Sequence, residues 1–440
     1  MSSMTLGLAA LGVTLLMLVL RIHIGIAMLA GGALCYWVVN SGDLNSLLFT
    51  LNNLAYSRLS NYDLAVIPLF VLMGQFATHG GLSRAIFRCA AAFTGKVRGG
   101  LGMSALAACA GFGAICGSSL ATSATMSKVA LPELRRYGYP GNLASATVAA
   151  GGTLGILIPP SVPLIVYAVL TQESIAKLFV AAVIPGIIAA IGYMVVLRIL
   201  ISGENSVQNN PVDVSIEEKL RAVWAIIPVA FVFLVVIVGI YAGWANPTEA
   251  ASIGAAACGL LAFFQGGLRG DGLKSSLMGT AQTTAMIFLV LLGADLLNSG
   301  LALSRMPVEL TSWVVESGLP PLFVVAAILI LYLILGCFMD SLAMILLTVP
   351  IFYPVIMELE ILGLGPSEKS IWFGILALMV VEIGLITPPL GMNLFIVQRA
   401  VKDVSLIDIS KRIVPFLVSD IARIILLFLF PGISLVLLNL

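Results

Sequence analysis

The sequence predicts an all-α polytopic membrane protein built as an inverted repeat, and three observations carry that reading. First, hydrophobic residues make up 60% of the 440 positions and charged residues only 10%, with a mean hydropathy of +1.11. Soluble domains run at about 45–50% apolar and about 25% charged, so the lipid bilayer must be the solvent here. Second, the apolar residues gather into stretches of membrane-spanning length. Third, the second half of the chain repeats a set of glycine, serine and proline anchors from the first.

A spanning helix needs about 20 mostly apolar residues. Spans are expected at 5–20, 24–40, 62–79, 142–170, 175–200, 220–242, 247–265, 276–299, 370–398 and 413–438. The first has no cationic lead and a second apolar run follows it directly, so it reads as a span rather than a cleaved signal. Two further apolar regions, 100–131 and 319–357, are interrupted midway by Gly, Ser or Asp. They read as re-entrant helical hairpins that enter and leave on one side. Segments 45–61, 82–98 and 304–318 are amphipathic and expected at the interface, and 202–219 is a polar loop too short to be a domain.

The cations test this map. With the first span running outside to inside, one face collects a long series from Arg21, Arg84 and Arg88 through Lys96, Arg135, Arg136 and Arg221 to Arg399, Lys402 and Arg412. The other face receives only Arg58, Lys177, Arg305 and Lys369. The positive-inside rule makes the crowded face cytoplasmic and puts both termini outside. The net charge of +1 has no basic block behind it, so no nucleic-acid partner is expected. The six cysteines lie in apolar stretches without a CxxC pair, which indicates neither disulfides nor a metal site. Trp224, Trp244, Trp313 and Trp372 stand near proposed span ends, as an aromatic belt requires.

The repeat anchors fall in order. Gly74, Gly81-Leu82 and Gly99 recur at one constant spacing as Gly293, Gly300-Leu301 and Gly318. Ser119-Leu120-Ala121 recurs as Ser341-Leu342-Ala343, and Pro132 as Pro354. The Gly155 run ending in Pro159-Pro160 recurs as the Gly384 run ending in Pro388-Pro389. Five crossings separate the starts of the two copies, so the second sits upside down relative to the first. The expected division is N-terminal scaffold helices over 1–61, a first repeat over 62–200, a loop and connecting scaffold helices over 201–275, and a second repeat over 276–440. Inverted repeats are a recurrent construction of secondary transporters, with sites at the repeat interface.

The Pro-Pro elements break their helices. Neither proline supplies an amide hydrogen, and each clashes with the preceding turn. Two broken transmembrane helices follow, one with Gly151, Gly152 and Gly155 before its break, the other with Thr387 and Asn393 beside it. Freed carbonyls at such breaks can hold a sodium ion, and the amide end of the next half-helix attracts an anion. The hairpin tips supply Ser118 and Ser119 in one copy and Asp340 and Ser341 in the other. Asp340 sits between apolar runs with no cation nearby in sequence, which reads as an ion ligand. Glu382, just before the second break, reads either as a functional acid or as one that snorkels or bonds a neighbouring backbone. Asp63, Glu249 and Asp295 read as caps or span ends, and His23 and His79 as interfacial.

At these elements the sequence resembles a known family. The runs CGSSLATSATM, LPELRRYGYP, GGTLGILIPPSVPLIVYAVLTQESIAKLF, FMDS and GLITPPLGMNLFI are similar to the large membrane (M) subunit of tripartite ATP-independent periplasmic (TRAP) transporters, over nearly the whole chain. The resemblance implies an elevator-type transporter with sodium as coupling ion and no other cofactor, in the bacterial inner membrane. It implies a small four-helix membrane (Q) subunit as a separate polypeptide, and a periplasmic substrate-binding (P) protein that delivers a small organic acid. Carried over by motif, Ser118, Ser119, Gly155, Pro159 and Ser161 fall at one sodium site. Asp340, Ser341, Thr387, Pro388 and Asn393 fall at the other. Substrate falls between the tips, near Ser119, Thr153, Ser161 and Asn393. With no GxxxxGK[ST], HExxH or GxSxG motif, an ATP-driven pump and an intramembrane hydrolase are disfavoured. A symporter that needs no binding protein, or a channel, stays open.

Overall fold

The computed structural model describes residues 3–94, 97–204, 207, 215–265, 267–401 and 403–438. Lys96 and Lys402, both used in the charge map, and half of the 202–219 loop lie outside the described residues. Among those described there is no strand. The first helices are α1 (Ser3–Val19), α2 (Ile24–Val39), α3 (Leu44–Leu59), α4 (Val66–His79) and α5 (Leu82–Thr94). A hairpin of α6 (Gly100–Cys116) and α7 (Ser119–Arg136) follows, then the broken pair α8 (Gly141–Leu157) and α9 (Val162–Thr171), and α10 (Ile175–Ser202). Next come α11 (Ile216–Tyr241), α12 (Pro247–Phe264), α13 (Asp271–Leu303) and α14 (Met306–Glu316). The second hairpin is α15 (Pro321–Gly336) and α16 (Ser341–Glu358). The second broken pair is α17 (Pro366–Gly384) and α18 (Met392–Ala400), and the chain closes with α19 (Leu406–Leu429) and the short α20 (Gly432–Leu435).

Among the described residues six helices are long and apolar enough to cross a membrane, or up to 8 if two bent pairs each count as one span. That is fewer than the sequence spans, for identifiable reasons. Helices α1 and α2 have 17 and 16 residues, a rise of about 24–26 Å against a hydrocarbon core of about 30 Å. The expected span 370–398 is two helices, α17 and α18, separated by the break. The expected span 413–438 turns by 82° after Leu429, and α3 meets the 62–79 segment at 59°.

The packing follows the repeat. Helix α6 lies on α8 as α15 lies on α17, α10 packs on α8 as α19 packs on α17, and the partners also cross, α19 onto α8 and α10 onto α17. Helix α7 touches α18, and α16 touches α9 in the same way. The two hairpins and two broken helices thus form one body around a pseudo-two-fold axis. Around it stand α2 against α13 and α12 against α4.

Loop contacts join residues that the charge map puts on one face. Arg135 donates to Asp403 at 2.9 Å, Arg98 reaches the Glu204 carbonyl at 3.4 Å, and Arg412 pairs with Glu204, all on the cation-rich face. On the other face Ser367 donates to Glu173 at 3.2 Å, and Lys369 holds the Met357 and Leu359 carbonyls at 2.6 and 2.7 Å. One tryptophan departs from the belt. Trp224, Trp244 and Trp313 are exposed, but Trp372 is fully buried and its indole donates to the Leu427 carbonyl. It packs α17 against α19 instead.

Candidate functional site

The first hairpin reverses at Gly117, whose φ of 64° is a left-handed conformation that glycine takes without steric cost. The space also requires it: a Cβ there would meet the Pro160 carbonyl at 3.0 Å and the Val162 amide at 3.3 Å. The tip therefore lies directly on the first break. The Val162 amide donates to the Gly117 carbonyl at 3.4 Å, bridging the two. Ser118 caps α7, accepting from the Ala121 amide. Ser161 caps α9, accepting from the Leu164 amide. Ser119, Thr153, Pro159 and Ser161 are buried, so the first set of predicted residues is gathered in one enclosed place.

Gly155 makes the approach possible. It sits against Gly113, where an added Cβ on Gly113 would lie 2.4 Å from the Gly155 Cα. The second copy repeats the arrangement with Gly336 and Gly384: a Cβ on Gly384 would lie 2.5 Å from the Gly336 carbonyl carbon. In both copies the hairpin's first helix and the broken helix touch backbone to backbone beside the break.

The second site is built alike but more open. Asp340 caps α16, its Oδ1 accepting from the Ala343 amide at 2.7 Å, and no ion pair to it is found among the described residues. The capping carboxylate sits at the positive end of the α16 dipole, where a negative charge is favoured. Thr387 and Pro388 are half-buried and Pro389 is exposed, whereas Asn393 is fully buried. The Thr387 hydroxyl donates to the Ile383 carbonyl at 2.7 Å. Asn393 reaches across the axis, its Nδ2 donating to the Ala149 carbonyl of α8 at 3.4 Å, and its Oδ1 has no partner. The Pro159-Pro160 and Pro388-Pro389 peptide bonds are both cis.

At each site two helices end and two begin. Helices α6 and α8 present carbonyl ends beside the amide ends of α7 and α9; α15 and α17 do the same beside α16 and α18. Helix ends leave their last carbonyls and first amides without intrahelical partners. Each site thus offers oxygen ligands to a cation and, next to them, amide donors to an anion.

Several residues stand differently from their sequence readings. Glu382 is neither a lone acid nor a backbone-bonded one. It lies fully buried with its Oε2 3.6 Å from Arg423 of α19. Asp295 is not a cap but part of the α13 wall, held by Arg58 with one contact of 2.6 Å. Sequence reasoning missed both cations because they lie far away along the chain. Wide cavities open elsewhere. One of about 570 Å³ includes Arg58, Asn61, Glu173 and Asp295 in its wall. Another, about 880 Å³, includes Arg84, Lys128, Glu133 and Arg221.

This paired architecture has relatives. A family model described as the tripartite ATP-independent periplasmic transporter, DctM component, matches residues 11–433. The chain belongs to that family. It is 36% identical over 410 residues to the C4-dicarboxylate TRAP transporter large permease protein DctM of Pseudomonas aeruginosa, covering 91% of this chain and 93% of that one. It is also 30% identical to the isethionate TRAP transporter permease protein DctMQ of Oleidesulfovibrio alaskensis, over 86% of this chain and 59% of that longer one. The fold is similar to the crystal structure of the YdaH transporter of Alcanivorax borkumensis, with a TM-score of 0.66 at 14% identity over 90% of each chain. As a TRAP large permease, this chain is the multi-pass membrane component of a tripartite, ATP-independent transport system.

Proposed function

We propose that this TRAP permease takes up a small organic acid anion, driven by sodium bound at the two tip-and-break sites, with the hairpin body moving as an elevator. The observation that carries the reading is the convergence of two carbonyl ends and two amide ends at each break, with Asp340 adding a carboxylate to the second site. A sodium ion at the carbonyl ends balances an anion held at the amide ends, so either ligand favours binding of the other. Ser118, Ser119, Gly155, Pro159 and Ser161 hold one ion, and Asp340, Ser341, Thr387, Pro388 and Asn393 the other. Substrate lies between them, near Ser119, Thr153, Ser161 and Asn393.

Support for a moving body comes from where its symmetry stops. Gly74 and Gly293 are repeat equivalents, yet a Cβ on Gly74 would meet the first hairpin tip at Cys116, 3.1 Å away, while one on Gly293 would meet Gly25 and Met28 of α2. The two-fold holds inside the body but not between the body and its surroundings, as expected of a unit displaced along the membrane normal. Binding-protein dependence, a small membrane partner, an inner-membrane location and periplasmic termini complete the proposal.

The test is reconstitution of the chain with its small membrane partner in vesicles. Under an inward sodium gradient, uptake should appear only when the liganded binding protein is added outside, and should stop when the gradient is collapsed. Full uptake without the binding protein would instead identify a conventional symporter, and flux that neither saturates nor needs sodium would identify a channel.

A further inference from the structure

A buried charged cluster outside the tips draws on all four helices around the pseudo-two-fold axis. Thr153 of α8, Tyr193 of α10, Glu382 of α17, and Asp420 and Arg423 of α19 each expose 4% of their surface or less. The Tyr193 hydroxyl donates to Asp420 Oδ2 at 2.8 Å, and Arg423 Nη2 donates to Asp420 Oδ1 at 2.8 Å. Thr153 Oγ1 lies 3.1 Å from the Tyr193 hydroxyl and 2.6 Å from the Ala150 carbonyl. Arg423 stands 3.6 Å from Glu382, beyond hydrogen-bond length.

Two features are unexplained by a structural ion pair. The cluster holds two carboxyl groups and one guanidinium, so with both acids ionised an uncompensated negative charge is buried among apolar helices, an arrangement that is strongly disfavoured. In addition, both Glu382 oxygens and the Nε and Nη1 of Arg423 have no hydrogen-bond partner. An ionised Glu382 beside a guanidinium with two free donors would be expected to close onto them, since carboxylate–guanidinium pairs form short, bidentate bonds. It stays apart. The groups facing it are Arg423 and Asp420 from α19, with Thr153 of α8 beside it and Tyr193 of α10 behind.

We propose that Glu382 is a proton-binding site: it carries an exchangeable proton, and the cluster is electrically neutral only while that proton is bound. The proton count supports this. Tyr193 spends its hydrogen on Asp420 and Thr153 spends its own on the Ala150 carbonyl, so neither hydroxyl is left to donate to Glu382, and an ionised carboxylate there would stand without a hydrogen-bond donor. A neutral carboxyl does not carry that buried charge. A metal ion fits less well, because the guanidinium already occupies one side of the carboxyl. Placement ties the site to the transport body. Thr153 stands two residues before Gly155, and Glu382 two residues before Gly384. The same step along each broken helix therefore leads from the cluster to a glycine contact with a hairpin. A proton gained or lost at Glu382 acts on the packing of both breaks at once.

The test needs no substrate and does not depend on sodium coupling. Infrared spectra of the purified full chain in lipid, at neutral pH and in light and heavy water, should show the carbonyl stretch of a protonated carboxyl. Glu382→Gln should remove that band while leaving the melting temperature unchanged, because a neutral amide replaces a neutral acid. Asp420→Asn should also remove it, since Arg423, deprived of its partner, then draws Glu382 into its ionised form. That second variant decides the matter if Glu382→Gln does not fold. A wild-type spectrum without the band, a band that survives Glu382→Gln, or a folded Glu382→Gln protein with a strongly lowered melting temperature would each overturn the proposal.

Discussion

At the scale of single residues, the tips test function and stability separately. Asp340 combines two roles, capping α16 and, in the proposed mechanism, binding a cation. Asparagine caps a helix about as well as aspartate but brings no charge. Asp340→Asn should therefore leave the melting temperature unchanged and abolish sodium-driven uptake in vesicles; unchanged sodium dependence would confine Asp340 to capping. Gly384 gives the converse case. A Cβ there would lie 2.5–2.8 Å from Gly336 backbone atoms, which cannot swing aside as a side chain can. Overpacking costs about 1–3 kcal/mol, so Gly384→Ala should lower thermal stability measurably in detergent. Asp340, Ser118 and Ser161 were readable from sequence because polar residues between apolar runs are conspicuous. Glu382 was harder to place because Arg423 and Asp420 lie on another helix with no local pattern linking them. A repeat alignment pairs it with Thr153, a signal the proline and glycine anchors already contained.

At the scale of elements, each hairpin is tied at its open end as well as at its tip. Lys369 is buried and holds the last carbonyls of the second hairpin, those of Met357 and Leu359. A charged hydrogen bond is worth about 1.5–3 kcal/mol, so Lys369→Met should destabilise the chain by roughly that amount, read as a lower melting temperature. The first hairpin is tied by Arg135 to Asp403 on the opposite face, but this pair is exposed and contributes little. The hydrogen bonds from Arg135 hold the Asp403 carboxyl below its ordinary range. A lowered carboxylate pKa contributes stability above the unfolded value, lost only as pH falls through the folded one. Between pH 6 and 8 this pair should therefore be silent, and Arg135→Gln should not alter the pH profile of uptake. Both hairpins and both breaks were visible in the sequence, because prolines and glycines act locally. The bends at 59° and 82° were not, because hydropathy measures how apolar a stretch is and says nothing of the angle between its parts.

At the scale of the whole molecule, the duplication reaches further than the anchors that revealed it. Helix α12 lies along α4 as α2 lies along α13, and α11 meets α5 as α1 meets α14. The helices α1 and α2, first read as a scaffold outside the repeat, thus occupy places matched by α11 and α12, whereas α3 and the short α20 have no counterpart among the described residues. Sequence comparison misses this outer pair because lipid-facing helices constrain apolarity rather than residue identity. An inverted duplication requires the two hairpins to open on opposite faces, and the loop contacts agree: ion pairs join cation-rich loops to one another, and a hydrogen bond joins Ser367 to Glu173 on the other face. Labelling can test it on a background without the six native cysteines. Lys369 is a poor probe because it is buried, whereas Arg136 at the end of the first hairpin and Leu362 beyond the second are both exposed. In right-side-out vesicles, a membrane-impermeant thiol reagent should modify Leu362→Cys from outside and Arg136→Cys only after permeabilisation. Modification of both from the same side would leave the hairpins entering together, and the pseudo-two-fold packing of α7 on α18 and α16 on α9 could not then run across the membrane plane.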